Sequence, residues 1–160
     1  MFPIVKHPNK SLRKISIAWN IDEILLPETQ KLVDEMIETM KQEKGVGLAA
    51  PQIGLNKRLF VGQMENGSIE AFFNPKIISV SETMVKSEEG CLSIPQTFGL
   101  VLRHKKVKIK AIDRKKQKIQ LTATGLLAII FQHEIDHLNG ILFIDQAIKL
   151  LETDSKGSIV

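Results

Sequence analysis

His133 and His137 stand four residues apart, with Glu134 directly after the first, and the preceding residues 125–131 are apolar on every side. On a helix, residues four apart lie one turn above each other. Both imidazoles can then reach one divalent cation while Glu134 projects beside its open coordination position. The chemistry this implies is metal-assisted hydrolysis, with the glutamate as base. Two satisfied core histidines at the same spacing are the plain alternative. Burying His133, Glu134 and His137 in an apolar helix without a partner would be costly, and an ion supplies one.

A catalytic site needs a third protein ligand and a free position. One large group of zinc proteases places a third histidine three residues beyond a glycine, but here Gly140 is followed at that spacing by Phe143. The carboxylates further on are Asp145, Glu152 and Asp154, the last two in a polar tail. The search therefore turns upstream, to the single cysteine, in Glu88-Glu89-Gly90-Cys91-Leu92-Ser93. A lone cysteine is commonly a small buried hydrophobe. Beside a two-histidine helix its thiolate instead completes a Cys-His-His set suited to zinc or ferrous iron, and Gly90 lets the backbone pass close to the ion. A third segment, Gly45-Val46-Gly47-Leu48-Ala49-Ala50-Pro51-Gln52-Ile53-Gly54, lacks the lysine and hydroxyl of a phosphate-binding loop. Its backbone, at Val46 and Gly47, can lie against an extended substrate, and the Gln52 amide is a suitable donor to a developing oxyanion.

These three segments, in this order, resemble the peptide deformylases. The resemblance extends to His7-Pro8, Leu12-Arg13, Asn74-Pro75 and Gly125-Leu126-Leu127-Ala128, and so over nearly the whole chain. It implies removal of the N-formyl group from nascent polypeptides that begin with formylmethionine, with release of formate. By that pattern Cys91, His133 and His137 would hold one divalent metal ion per chain. Ferrous iron is favoured; zinc, nickel or cobalt suit the same donors. Glu134 would take a proton from the attacking water and pass it to the leaving amine, while Gln52 and the backbone N–H of Leu92 would hold the formyl oxygen. An apolar pocket for the methionine side chain is expected from Val46, Leu126, Ile129 and Ile130. Many bacterial members carry an arginine seven residues after the cysteine and a Pro-Arg pair further on, where this chain has Phe98 and Leu102-Arg103. Arg103 is expected to steady the glutamate-rich loop before Cys91 or the substrate backbone. The implied partners are formyl-methionyl nascent peptides and, transiently, the ribosome, although the mixed-charge tail from Leu151 gives no support for anchoring through it.

The elements that must position these residues follow from periodicity. Residues 27–42 place Leu32, Val33, Met36, Ile37 and Met40 on one helical face, with Pro27 in the first turn. Short strands are expected at 57–62, 69–74, 76–80, 105–112 and 116–121, the last pair turning at 113–115. Thr124 and Gly140 are the expected N-cap and C-terminal stop of the metal helix. The fold class is then α+β, short antiparallel sheets packed around a central metal-binding helix. At 160 residues one catalytic domain is expected over 1–160, with 151–160 a frayed tail. One cysteine excludes an internal disulfide, and no early apolar run reads as a signal peptide or membrane span. That points to a cytoplasmic enzyme; a processed organellar form would look the same. The net charge of +4 gathers in 104–110 and 114–118, whose alternation indicates one wet face of a strand pair rather than a dedicated nucleic-acid site. Two rival readings remain, a metallopeptidase and a non-catalytic peptide or ribosome binder.

Overall fold

The computed structural model describes residues 1–153. Helix α1 runs Pro27–Gln42, as expected, with Pro27 at its first turn and Val33, Met36 and Met40 buried along one face. Two antiparallel sheets follow. The larger contains β1 (Gly47–Ala49), β2 (Leu59–Gln63), β3 (Ile69–Val80), β6 (Lys106–Ile112) and β7 (Lys118–Thr124), in the order β1-β2-β3-β6-β7. The smaller contains β4 (Met84–Cys91), β5 (Ile94–His104) and β8 (Ala147–Glu152), in the order β4-β5-β8. Helix α2 (Gly125–Leu138) follows β7 directly, and one short turn, α3 (Phe143–Gln146), leads into β8. The fold is α+β.

Several differences from the periodicity reading have local causes. The segments 69–74 and 76–80 form one strand, because Asn74 takes a positive φ of 48° and makes a bulge rather than an end. The Asn74 side chain makes that bulge profitable: its Oδ1 accepts from Trp19 N at 2.7 Å and its Nδ2 donates to Trp19 O at 3.0 Å. The last turn is longer than 113–115, since Asp113 Oδ1 accepts from both Lys115 N and Gln117 N at 2.9 Å, which delays β7 to Lys118. The whole second sheet was not legible from periodicity. β4 is polar on both faces, and β5 is interrupted by Pro95 and Gly99. Leu151 and Glu152, expected in a frayed tail, pair with Phe98 and Thr97 in β8; residues 154–160 of that tail lie outside the described residues.

Helix α2 packs on one face of the larger sheet. Leu127, Ala128, Phe131, Ile135 and Leu138 meet Phe60, Phe72, Val107, Ile109 and Ala123 in one buried cluster. Phe60 stacks on Phe72 at 4.7 Å, and Phe72 meets Phe131 edge-on at 5.2 Å. Helix α1 covers the other face, through Val33, Met36 and Met40 against Leu48, Leu59, Val61 and Phe73. Beneath the smaller sheet lies a third cluster of Leu12, Ile94, Val101, Leu142 and Phe143. An apolar helix held in this way is a rigid platform for the groups it carries.

Both ends of α2 rest on glycine. Thr124 occupies the N-cap position, but its side chain makes no cap hydrogen bond, and Gly125 has φ 59°. At the other end Gly140 has φ 72°, and a Cβ there would lie 2.3 Å from Arg13 O. Arg58 Nη1 donates to Leu138 O and Asn139 Oδ1, both at 3.1 Å, satisfying the helix C-terminus. Gly140→Ala is expected to destabilise by about 2 kcal/mol or more, the left-handed strain plus displacement of the Arg13 backbone. Gly125→Ala is the control, since no atom lies within 4 Å of a Cβ there. Urea midpoints should rank wild type above Gly125→Ala above Gly140→Ala.

Candidate active site

Cys91 closes β4, and the β4–β5 hairpin swings it against α2, where His133 and His137 lie one turn apart. The ligand atoms of the three residues all fall within 4.8 Å of one another. Cys91 Sγ is 3.3 Å from His137 Nε2. Arms of about 2.3 Å to sulfur and 2.1 Å to nitrogen at a tetrahedral angle place two such donors about 3.6 Å apart, so the set fits a metal ion. The ring orientations agree. His133 Nδ1 is 2.8 Å from Glu89 Oε1, which makes Nδ1 the protonated nitrogen and leaves Nε2 for a metal.

Charge around the site is arranged to favour a cation. Burial alone would lower the His133 imidazole, but Cys91, Glu89 and Glu134 outweigh it and raise its pKa to about 10. The same anions favour a divalent ion, whose binding displaces a proton from the site. Burial, and then the charge of His133, hold His137 well below its ordinary value, so this ring is neutral and ready as a ligand. Glu134 is 5% exposed, and burial pushes its carboxyl up to about 7. A Cβ at position 47 would lie 2.3 Å from Glu134 Oε1, so only glycine there leaves room for the carboxyl. Among the described residues, Glu134 Oε2 has no hydrogen-bond partner.

Gln52 sits on the short turn Ala50–Ile53 and is 2% exposed. Ala49 N donates to its Oε1 at 2.9 Å, which fixes the amide with its Nε2 facing Ser93 Oγ at 3.2 Å and Cys91 Sγ at 3.5 Å. The amide therefore presents a donor at the thiolate side of the site. A cavity of ≈ 460 Å³ opens in front of these groups. All the residues expected around a substrate except Arg103, namely Val46, Gly47, Leu126, Ile129 and Ile130, stand in its wall with Gln52, Leu92, His133 and Glu134. Phe98 also borders it, its ring 3.0 Å from where a Gly90 Cβ would be.

Arg103 is placed elsewhere. It is 3% exposed and does not line the cavity, because its guanidinium is consumed by partners behind α2. Nε and Nη2 each donate to Glu89 at 2.8 Å, and Nη1 donates to Asp136 Oδ2 at 2.6 Å and Gln146 Oε1 at 3.1 Å. It thus holds the Glu89 carboxylate that contacts His133, whereas the sequence also placed it among the substrate-binding residues. The sequence assigns no role to Ser93, Asp136 or Gln146. Asp136 carried a signal, an acid next to His137 in an apolar helix; Ser93 and Gln146 carried none.

The family model for polypeptide deformylase matches residues 1–153. The chain belongs to the peptide deformylase family. A peptide deformylase of Symbiobacterium thermophilum is 46% identical over 156 residues, covering 96% of this chain and 70% of that one. The crystal structure of peptide deformylase from Thermotoga maritima superposes with a TM-score of 0.86 at 37% identity, covering 93% of this deformylase and 99% of the other. A class I type b peptide deformylase from Acinetobacter baumannii, solved with Met-Ala-Ser bound, gives a TM-score of 0.86 at 33% identity over 91% of this chain and 98% of that one. The deformylase is a metallohydrolase that removes N-formyl groups from nascent peptides, and Cys91, His133 and His137 form its metal site. Among the described residues, no helix is long and apolar enough to cross a membrane.

Proposed function

We propose that this deformylase uses Glu134 as its proton carrier, Gln52 and the Leu92 N–H as its oxyanion donors, and ferrous iron as its metal. The observation that carries the reading is a single one. A buried carboxylate with a free oxygen, a fixed amide donor and a thiolate–imidazole set share one end of a ≈ 460 Å³ cavity. Cys91, His133 and His137 would hold a divalent cation, which would supply a lowered pKa for water and polarisation of a carbonyl. Glu134 accepts the proton of the attacking water and delivers it to the nitrogen that leaves as formate departs. Gln52 Nε2 donates to the formyl oxygen as it gains charge, and its orientation is set beforehand by Ala49 N, so no reorganisation is needed. The thiolate and two imidazoles also suit zinc, nickel or cobalt.

The substrate lies extended. β1 and β4 are the end strands of their sheets, and both border the cavity, through Val46 and Gly47 on one side and Ser87 to Gly90 on the other. Unpaired strand edges offer main-chain hydrogen bonds that hold a peptide whatever its sequence. Selection then falls to the methionine side chain, received by Val46, Leu126, Ile129 and Ile130. Ile129→Gln is expected to raise KM for formyl-methionyl peptides by about tenfold while changing kcat little, since it removes apolar burial worth about 1–2 kcal/mol away from the reacting atoms. Unchanged discrimination between methionyl and seryl substrates in that variant would count against this pocket.

Because its substrates are nascent polypeptides, we place it in the cytoplasm, or as a processed form in an organelle, in transient association with ribosomes. The direct test is formate release from a formyl-methionyl peptide by protein purified without oxygen, with metal content measured on the same sample. Turnover proportional to ferrous occupancy supports the assignment. Full ferrous occupancy without formate overturns it.

A further inference from the structure

The larger sheet carries a ladder of lysines on one face. In β6, Val107, Ile109 and Ala111 point to the α2 side and are buried, so Lys106, Lys108 and Lys110 point the other way. Register extends the row onto both neighbours. Lys110 pairs with Lys76 of β3 and with Gln120 of β7, Lys108 pairs with Ser79 and Thr122, and Lys118 lies opposite Ile112. Helix α1 covers this face over β1, β2 and the Phe73 and Ile112 end of β3 and β6, leaving the lysine end open. Among the described residues, none of the five lysines forms an ion pair. The adjoining Lys116 and Arg114 do, with Asp22 and Asp34, so acids were available to this surface and stop short of the ladder.

Two cations directly opposite on neighbouring strands repel each other, and the Lys76–Lys110 pair is of that kind with no acid between them. An anion seated between them relieves the repulsion. The spacing suits a polymeric one. Alternate residues along β6 are about 6.8 Å apart and adjacent strands about 4.8 Å apart. Hollows of ≈ 300 Å³, bordered by Lys106, Lys108, Ser79 and Thr122 with Val80, and of ≈ 450 Å³, bordered by Lys110, Lys118 and Gln120 with Ile21 and Ile112, lie beside the lysines. Amines, hydroxyls and an amide are the side chains that contact phosphate and sugar. Thr124, the partner of Lys106, is two residues from Leu126 in the cavity wall, so the ladder ends near the mouth of the active site.

Alternation alone reads as one wet strand face with no dedicated nucleic-acid site; against that expectation, and from the cross-strand Lys76–Lys110 pair, we propose that this lysine face, Lys76, Lys106, Lys108, Lys110 and Lys118, docks the enzyme on the phosphate backbone of ribosomal RNA and brings the cavity mouth to the emerging peptide. The choice of ribosomal RNA rests on the enzyme acting on nascent polypeptides; the phosphate chemistry does not. The test uses the metal-loaded enzyme, a fluorescent RNA hairpin, and separately purified large ribosomal subunits. Binding to the hairpin should fall with salt at a log–log slope near −4.5, about 0.9 for each of the five lysines engaged. The double variant Lys106→Gln/Lys110→Gln should make that slope shallower by nearly 2 and release the enzyme from pelleted subunits. The double variant Lys10→Gln/Lys14→Gln has the same net charge and should behave as wild type. Formate release from a free formyl-methionyl peptide should be equal in all three, which separates failure of this proposal from failure of the catalytic reading. Equal losses in both double variants would overturn the proposal, because bulk charge would then explain binding. So would binding to anionic phospholipid vesicles in preference to the hairpin, or hairpin binding without subunit binding.

Discussion

Glu134→Ala should keep a full complement of metal and lose turnover by about 10²- to 10⁴-fold, the usual value of one positioned base. The expectation rests on where the carboxyl stands. It is buried, flanked by the bare backbone of Gly47, and keeps one oxygen without a partner. It is not one of the three donors that cluster within 4.8 Å, so its removal leaves the metal set whole. Glu134→Gln tests the same point at constant volume and should lose a similar factor. The pH profile adds an independent sign. Burial raises the carboxyl to about 7, and the base acts only when ionised. The kcat/KM of wild type should therefore rise with pH and level off above the carboxyl's pKa, which a neighbouring divalent cation brings below that value. In Glu134→Gln this acid limb should vanish from the residual activity. Metal analysis with formate release across pH decides it, and an alanine variant with near wild-type turnover would exclude Glu134 as the base.

How much of this could be read from the sequence follows from the range of the interactions involved. The spacing of His133 and His137 is a property of one helix, and the helical period alone predicts their convergence. The apolar face of α1 and the alternation in β6 are equally local. Cys91 was reachable only by asking what else could complete a ligand set, because the contact that joins it to His137 spans 46 residues. Strands β4, β5 and β8 were lost for a different reason. Their stability comes from pairing with one another over the small core of Leu12, Ile94, Val101, Leu142 and Phe143, so no single segment displays a clean two-residue period. The location of Arg103 was undecidable in the same way. Whether a guanidinium faces substrate or interior depends on where Glu89, Asp136 and Gln146 come together, and those lie on β4, α2 and α3. Gln52 shows the intermediate case: its residue type suggested an oxyanion donor, but the amide's orientation is set by the Ala49 N–H.

Arg103→Met should destabilise the protein by about 3–5 kcal/mol and weaken metal binding by about 10- to 100-fold. The arginine is 3% exposed and supplies hydrogen bonds at 2.8 Å to both oxygens of Glu89 and at 2.6 Å to Asp136. Methionine fills a similar volume but leaves the buried Glu89 and the half-buried Asp136 carboxylates without their cation, which costs far more than the pair itself is worth. Arg103→Lys should fall between, since an ammonium keeps the charge but cannot span Glu89 and Asp136 as a fork. The metal effect travels through one bond. Glu89 Oε1 fixes His133 at 2.8 Å, and a Glu89 freed from Arg103 no longer holds the ring with its other nitrogen toward the metal. The pH dependence identifies the cause. Burial would raise Glu89, but Arg103 and His133 outweigh it and hold the carboxyl at about 2, against an ordinary 4.5. A depressed carboxylate contributes stability that is complete above about 4.5 and is lost as pH falls toward 2. The stability gap between wild type and Arg103→Met should therefore be full above about 4.5 and narrow as pH falls from there toward 2. Urea unfolding of the two proteins at a series of pH values measures the gap, and a difference that stays constant with pH would show that Arg103 acts through packing rather than through its charge.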